Sequence, residues 1–290
     1  MVVKPSRTTH QAERIPNVSK LYASSIHKAG IRPGDTVLVV CGGPYDRAVL
    51  LNAGIDNAVI SNVDFHDDVT DYKPFEWQRQ DAEALTLADA CFDWCVVHAG
   101  LHHCASPHRA LCEMMRVARK GVVVIESRDS ALLRFTARLG LAATYELEPA
   151  ALSDGRYGGY RNTHIPNYVF RWTEREVEKT VRAYAPHEKP VIEYSYGYAI
   201  PLQRLSMSKR PFLRLLGQIA ALATGFAEVV FPRQGNLFSF VIRRGGELQP
   251  WLRTAADGPQ VDMDFILRIY DPAKYSRPPA KVGGDPTQGD

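Results

Sequence analysis

Cysteine is scarce in this 290-residue chain: five in all, an odd number, and none sits in a CxxC pair. That excludes a disulfide framework and the common zinc-ribbon spacing, and suits free thiols in a reducing cytoplasm. An excess of one charge is also lacking. Lys and Arg number 35 against 32 Asp and Glu, a formal +3 with no basic block, so nucleic acid is not an expected partner. The N-terminal stretch MVVKPSRTTHQAERIP holds no apolar run of the signal-peptide kind. The most lipophilic stretch, PFLRLLGQIAALATGFAEVVF (211–231), is interrupted by Arg214, Gln218 and Glu228. It makes a poor membrane span, so no stable membrane insertion is expected. It suits a helix packed in the core or against a second copy of the chain, or a cap over a lipophilic substrate. No HExxH signature is present, and no GxGxxG follows the first apolar run, which disfavours a nicotinamide dehydrogenase.

What is present is an alternation. VSKLYASSIHKA (18–29) is amphipathic and stops at Gly30, and TVLVV (36–40) follows a Pro33-Gly34 break. A helical stretch at 47–52 ends near Gly54, and the runs NAVISNV (57–63), WQRQ (77–80), FDWCVV (92–97) and VVVIE (122–126) have strand character. A helix around 105–117 carries Leu111, Met114, Met115 and Val117 at helical spacing. Short apolar runs alternating with helices predict an α/β fold with a doubly wound, mostly parallel sheet. Later, Thr173 to Glu176 form a capping box opening a helix to about Tyr184. VIEYSYGYAI (191–200) and LFSFVIRR (237–244) supply the last strands.

In such a sheet, ligands bind beyond the carboxyl ends of the strands. The first strand ends in Cys41-Gly42-Gly43-Pro44, where glycines permit close backbone approach and a helix offers free N–H groups. The second ends near Asp64, which can accept both hydroxyls of a ribose. The third ends in Gln80-Asp81-Ala82-Glu83, where a carboxylate can accept from a purine amine. The fourth opens HAGLHHCASPHRALC (98–112), which holds four of the nine histidines and two of the five cysteines. Read alone, that stretch suggests a metal, with His98, His102, Cys104 or His108 as ligands. Read in register, it becomes a strand end, a loop and a helix start whose side chains diverge, and no metal set is expected.

TVLVVCGGPYDRAVLLNAG, VISNVD and QDAEALTLADACFDWCVVHAGLHHCASPHRALCEMMRVARKGVVVIE together resemble a class I S-adenosylmethionine-dependent methyltransferase of the quinone-biosynthesis type. The likeness runs from Asp35 to Glu126. It departs at the first motif, where Val39 replaces the usual acidic residue and Cys41 and Tyr45 replace glycines. The resemblance implies a Rossmann-like methyltransferase fold with an antiparallel last strand and a lid insertion. It implies S-adenosyl-L-methionine as cofactor: Cys41, Gly42 and Gly43 at the methionine end, Asp64 on the ribose, Asp81 and the Ala82 amide on the adenine, His98 and Ala99 from the fourth strand. The implied reaction is methyl transfer to a small-molecule acceptor. A catalytically degenerate binding protein on the same fold is the alternative.

Groups able to serve as a base are His102, His103, Tyr160, His164 and Glu126. GRYGGYRNTHIPNYVFRW (155–172) reads as a substrate lid, its Gly-Gly pair permitting mobility. Tyr157, Tyr160, Arg161, Asn162, Asn167 and Arg171 are the substrate contacts expected from it. Tyr194, Tyr196 and Tyr198 alternate as on a strand, to line a pocket or pack in the core. The expected organisation is an N-terminal helical segment (1–30), a cofactor half (31–140), a lid with the last strands (141–245) and an extension with a partly disordered tail (246–290).

Overall fold

The computed structural model describes residues 16–64, 69–140, 142–199 and 211–272. Seven strands form one sheet in the order β3-β2-β1-β4-β5-β7-β6. They are β1 (Val37–Val40), β2 (Ala58–Asn62), β3 (Glu76–Arg79), β4 (Phe92–His98), β5 (Ala118–Ser127), β6 (Val191–Gly197) and β7 (Leu237–Arg243). The first five run parallel, and β7 inserts antiparallel between β5 and β6. The order reverses between β1 and β4, so the crevice beyond their carboxyl ends is the switch point where such sheets bind ligands.

Alternation along each strand builds two cores. Val37 and Val39 face one side with Val96, Val123 and Val241, under Tyr22 and Ile26 of helix α1 (Pro16–Ala29) and Val49 and Leu50 of α2 (Pro44–Asn52). Leu38 and Val40 face the other with Cys95, Val97, Val122 and Val124. There they meet Leu111 and Met114 of α3 (Pro107–Val117) and Val177 and Val181 of α6 (Glu174–Tyr184). Between β5 and α6 the chain makes α4 (Ala131–Arg138), α5 (Glu148–Leu152) and the Gly- and Tyr-rich stretch 155–172, together the insert. Ser106 caps α3 by accepting from the Arg109 N–H, with Pro107 in the first turn. Thr173 and Glu176 form the expected capping box of α6.

Tyr194 and Tyr196 stack on Phe238 at 5.6 and 5.8 Å, and their hydroxyls reach Glu174. They pack the outer strands together, the second of the two roles open to them. The helix α7 (Pro211–Val230) departs from the core-packing expectation: Phe212, Leu215, Ile219, Phe226 and Val229 are exposed. No helix among the described residues is long and apolar enough to cross a membrane. Beyond Gly245, where no element was expected, β8 (Leu252–Ala255) and β9 (Gly258–Val261) form a hairpin, and α8 (Met263–Ile269) follows, capped by Asp262. The Asp257-Gly258 pair at the hairpin turn was its local signal. The expected tail from 273 onward lies outside the described residues.

Gly121 sets how closely β5 and β7 approach. A Cβ there would lie 2.3 Å from the Ile242 carbonyl oxygen and 2.6 Å from the Trp94 ring. Gly121→Ala should therefore cost about 3 kcal/mol or more in urea unfolding, because backbone must move to relieve the overlap.

Candidate active site

The loops after β1 and β4 touch at the switch point. Cys41 and Ala99 both hold left-handed backbone, at φ 54 and φ 50. Such conformations cost non-glycine residues about 1–2 kcal/mol each and concentrate at functional sites. Gly100 allows the contact, since a Cβ there would fall 2.4 Å from the Cys41 Cβ. Gly42 is wedged over Val39 and Ile60, and its N–H donates to the Ser61 carbonyl at 2.8 Å. Gly43, by contrast, has no atom within 4 Å of a built Cβ. Its N–H is taken by the Asp46 carboxylate at 2.8 Å.

Asp46 is buried, and burial raises its pKa despite His98 nearby and the bonds from Gly43 and Tyr22. The His98 ring stacks on Tyr22 at 5.2 Å and lies 5.1 Å from Tyr45. α1 thus closes over the first loop through aromatic contacts.

Beyond β2 and β3 lies a cavity of about 390 Å³ lined by Val63, Arg79, Gln80, Asp81, Ala84, Thr86 and Arg161. Asp64 is exposed after the end of β2, and Ala82 is buried. One Asp81 oxygen accepts from the Glu83 N–H at 2.9 Å, and the other pairs with Arg161 at 3.0 Å. Both Asp81 oxygens are thus engaged within the protein, one of them by an exposed arginine that a ligand could displace. Glu83, the other carboxylate of this strand end, faces away from any such role. It is buried and accepts from the Ala105 and Ser106 N–H groups, tying the third strand end to the start of α3.

The histidine-rich stretch resolves into separate roles. His108 packs against Trp172 and Phe170 on the helix side. Cys104 lies beside Cys41, and that thiol contact, with burial, drives its pKa up, so it stays a neutral thiol. His102 and His103 occupy a 3-10 turn, Leu101–His103, and turn toward the insert. His102 Nδ1 donates to Glu126 Oε2 at 2.8 Å, and His102 Nε2 lies 3.1 Å from Glu146 Oε2. Glu126 also accepts the Leu101 N–H at 2.7 Å.

Burial opposes charge on His102, but the Glu126 carboxylate and then the Glu146 bond override it, pushing its pKa up to about 10. Burial also opposes charge on Glu146, yet the His102 bond and charge bring its carboxyl down to about 2. His103 is shifted downward, by burial and then by the neighbouring His102 charge. Its Nδ1 lies against the Gly159 carbonyl at 3.3 Å.

The insert supplies the other half of this cluster. Asn167, buried, donates to the His102 carbonyl at 3.2 Å and to Glu146 at 3.5 Å. The Gly158-Gly159 pair makes a tight turn where mobility was expected. A Cβ on Gly159 would lie 1.9 Å from the Ile165 carbonyl oxygen, and Tyr160 N–H donates to that oxygen at 2.7 Å. Arg161 and Asn162 follow in left-handed backbone.

Tyr160 and His164 are exposed, Tyr157 is half-buried, and Arg171 donates to the Ala143 carbonyl. Glu146, in the insert, escaped sequence reasoning, because nothing local in TYELEP marks it. Glu126 has both oxygens engaged by the loop after β4, so it positions His102 and is not open to an acceptor.

Residues 44–125 match the family profile of a methyltransferase domain. Two curated ubiquinone/menaquinone biosynthesis C-methyltransferases are similar over part of the chain. That of Xanthomonas oryzae pv. oryzae is 32% identical over 105 residues, 32% of this chain and 42% of its own length. That of Bdellovibrio bacteriovorus is 28% identical over 109 residues, 34% of this chain and 46% of its own. The chain thus spans less than half the length of the curated relatives it matches. A chain in the Haloferax volcanii complex of the Trm112 methyltransferase activator with a methyltransferase shares the fold. Its TM-score is 0.52 at 15% identity, with 83% of this chain and 94% of that one covered.

The sheet order and the strand-end crevice are those of a Rossmann-like methyltransferase fold, and residues 44–125 carry a methyltransferase domain. Over that part of the chain, the sequence likeness is to the quinone-biosynthesis type. S-adenosylmethionine is the cofactor such a domain implies, and the crevice fits it: a nucleoside-sized cavity with an acidic side chain, and open space above Gly43.

Removing Glu126 would leave a buried imidazolium with its inner partner gone. Glu126→Ala should cost about 3–5 kcal/mol in urea unfolding. Arg161→Ala, which breaks an exposed pair with Asp81, should cost under about 1 kcal/mol in the same measurement.

Proposed function

We propose that the protein transfers the methyl group of S-adenosylmethionine to a small-molecule acceptor held beside His102, His103 and Glu146. One observation carries this reading. The insert between β5 and α6 meets the nucleoside cavity through Arg161 and the histidine cluster through Glu146, Gly159 and Asn167. One segment thereby borders both the place a cofactor would occupy and a set of groups able to take a proton.

In this reading Cys41, Gly42 and Gly43 hold the methionine end, and Asp64 the ribose. Asp81 and the Ala82 amide hold the adenine, and His98 and Ala99 wall the crevice from β4. When bound, S-adenosylmethionine supplies an activated sulfonium methyl. The protein's own task is then to align an acceptor atom in line with the sulfur–methyl bond and to exclude water. Tyr157, Tyr160, Arg161, Asn162 and Arg171 of the insert border the acceptor. Nε2 of His103, with its ring oriented by the Gly159 carbonyl, is placed to take the acceptor's proton. His102 fixes the insert through Glu146, and His164 belongs to the acceptor side of the same loop.

Calorimetry with S-adenosylmethionine and S-adenosylhomocysteine tests this. Both should bind at one site per chain, and Asp64→Ala should weaken that binding by about tenfold or more. No heat and no thermal shift with either ligand would leave a binding protein on a methyltransferase fold.

A further inference from the structure

His102, His103 and Glu146 hold their ligand atoms within 4.8 Å of one another, and His102 and His103 are consecutive on one turn. Both imidazoles are oriented alike. His102 Nδ1 faces the Glu126 carboxylate at 2.8 Å, and His103 Nδ1 faces the Gly159 carbonyl at 3.3 Å. A carbonyl only accepts, and Glu126 already accepts from Leu101, so both Nδ1 atoms donate. Both Nε2 atoms therefore point inward, at one oxygen: Glu146 Oε2 lies 3.1 Å from His102 and 3.5 Å from His103.

A hydrogen bond from His102 accounts for the first contact. The second sets His103 Nε2 against the same carboxylate oxygen at 3.5 Å, longer than a good hydrogen bond. Around a tetrahedral ion with bonds of about 2.0–2.1 Å, ligand atoms sit roughly 3.3 Å apart, close to the two distances observed.

The surroundings are those of a metal centre. Histidine ligands characteristically donate their other ring N–H to a carboxylate or a backbone carbonyl, and both of these do. Asn167 donates to the carboxylate ligand at 3.5 Å, while its own buried Oδ1 has no hydrogen-bond donor. That acceptor is aimed from a side chain only 2% exposed, and suits a metal-bound water. Glu146 and His103 keep about a third and a quarter of their side chains exposed, so coordination positions stay open on the side of the insert.

We propose that His102 Nε2, His103 Nε2 and Glu146 bind one divalent transition-metal ion, which displaces the His102 Nε2 proton to solvent, with Glu126 and the Gly159 carbonyl orienting the two histidines. Two imidazoles and one carboxylate select zinc or iron(II) over magnesium or calcium. The open positions would take an oxygen of the methyl acceptor, which makes a hydroxyl- or carbonyl-bearing molecule the substrate class; with the ion bound, it is the metal that acidifies that oxygen, in place of His103 Nε2 acting as base. This last clause rests on the methyl-transfer reading; the metal site does not.

The test uses the full chain, stripped with chelator and then given Zn²⁺ or Co²⁺. One equivalent of zinc should survive dialysis, and cobalt should give visible ligand-field absorption at one equivalent. Mg²⁺ should not compete. His103→Ala and Glu146→Gln, which alter half-exposed side chains, should remain folded by circular dichroism and lose roughly 100-fold or more in zinc affinity. Glu126→Gln should lose about tenfold. No stoichiometric metal on folded wild-type protein would overturn the proposal, as would zinc binding unchanged in both His103→Ala and Glu146→Gln. Metal bound without any S-adenosylmethionine binding would retain the site and remove its assigned substrate.

Discussion

His102 is held by two carboxylates that come from different parts of the chain. Glu126 ends β5, at the heart of the parallel sheet, and Glu146 belongs to the insert. The ring between them is buried. Each partner satisfies one nitrogen, so the imidazole joins the rigid sheet to the inserted segment. The cost of burying an imidazolium is offset only while both carboxylates are in place. Glu126 in turn grips the Leu101 N–H, so the loop after β4 and the end of β5 form one unit before the insert arrives. The insert's remaining anchors gather around the same turn: Asn167 on the His102 carbonyl and Gly159 on His103.

The sheet explains why this joint sits where chemistry is possible. Parallel strands deliver their carboxyl ends to one edge, and the order reversal between β1 and β4 parts the loops there. The structure accepts local strain to keep those loops close. Cys41 and Ala99 adopt left-handed backbone, and Gly100 admits the Cys41 side chain against it. Asp46 caps Gly43, and Tyr45 and Tyr22 flank His98. The cavity beyond β2 and β3 is bordered by Arg161 from the insert.

The sheet strands and their order of use were legible because burial on both faces writes continuous apolar runs, as in VLVV and VVVIE. Caps were legible for a local reason: Ser106 and Thr173 act on N–H groups three residues away. The loop after β4 was legible as a strand end followed by a helix start, and His108 indeed turned to Trp172.

The partners of His102 and His103 were not legible. Glu146 lies 44 residues from His102 in sequence, and no local pattern encodes a contact at that range. The glycines of the insert misled for a related reason. Glycine signals backbone freedom or close approach equally well, and only the Ile165 carbonyl beside Gly159 decides between them.

Hydrogen–deuterium exchange in wild-type protein and His102→Ala tests most directly whether His102 pins the insert. The amides of Tyr160, Asn162 and Thr163 should exchange faster in the variant, while those of β1, β4 and β5 keep their protection. Unchanged exchange across the insert would contradict the account, because the segment would then be held by contacts other than His102.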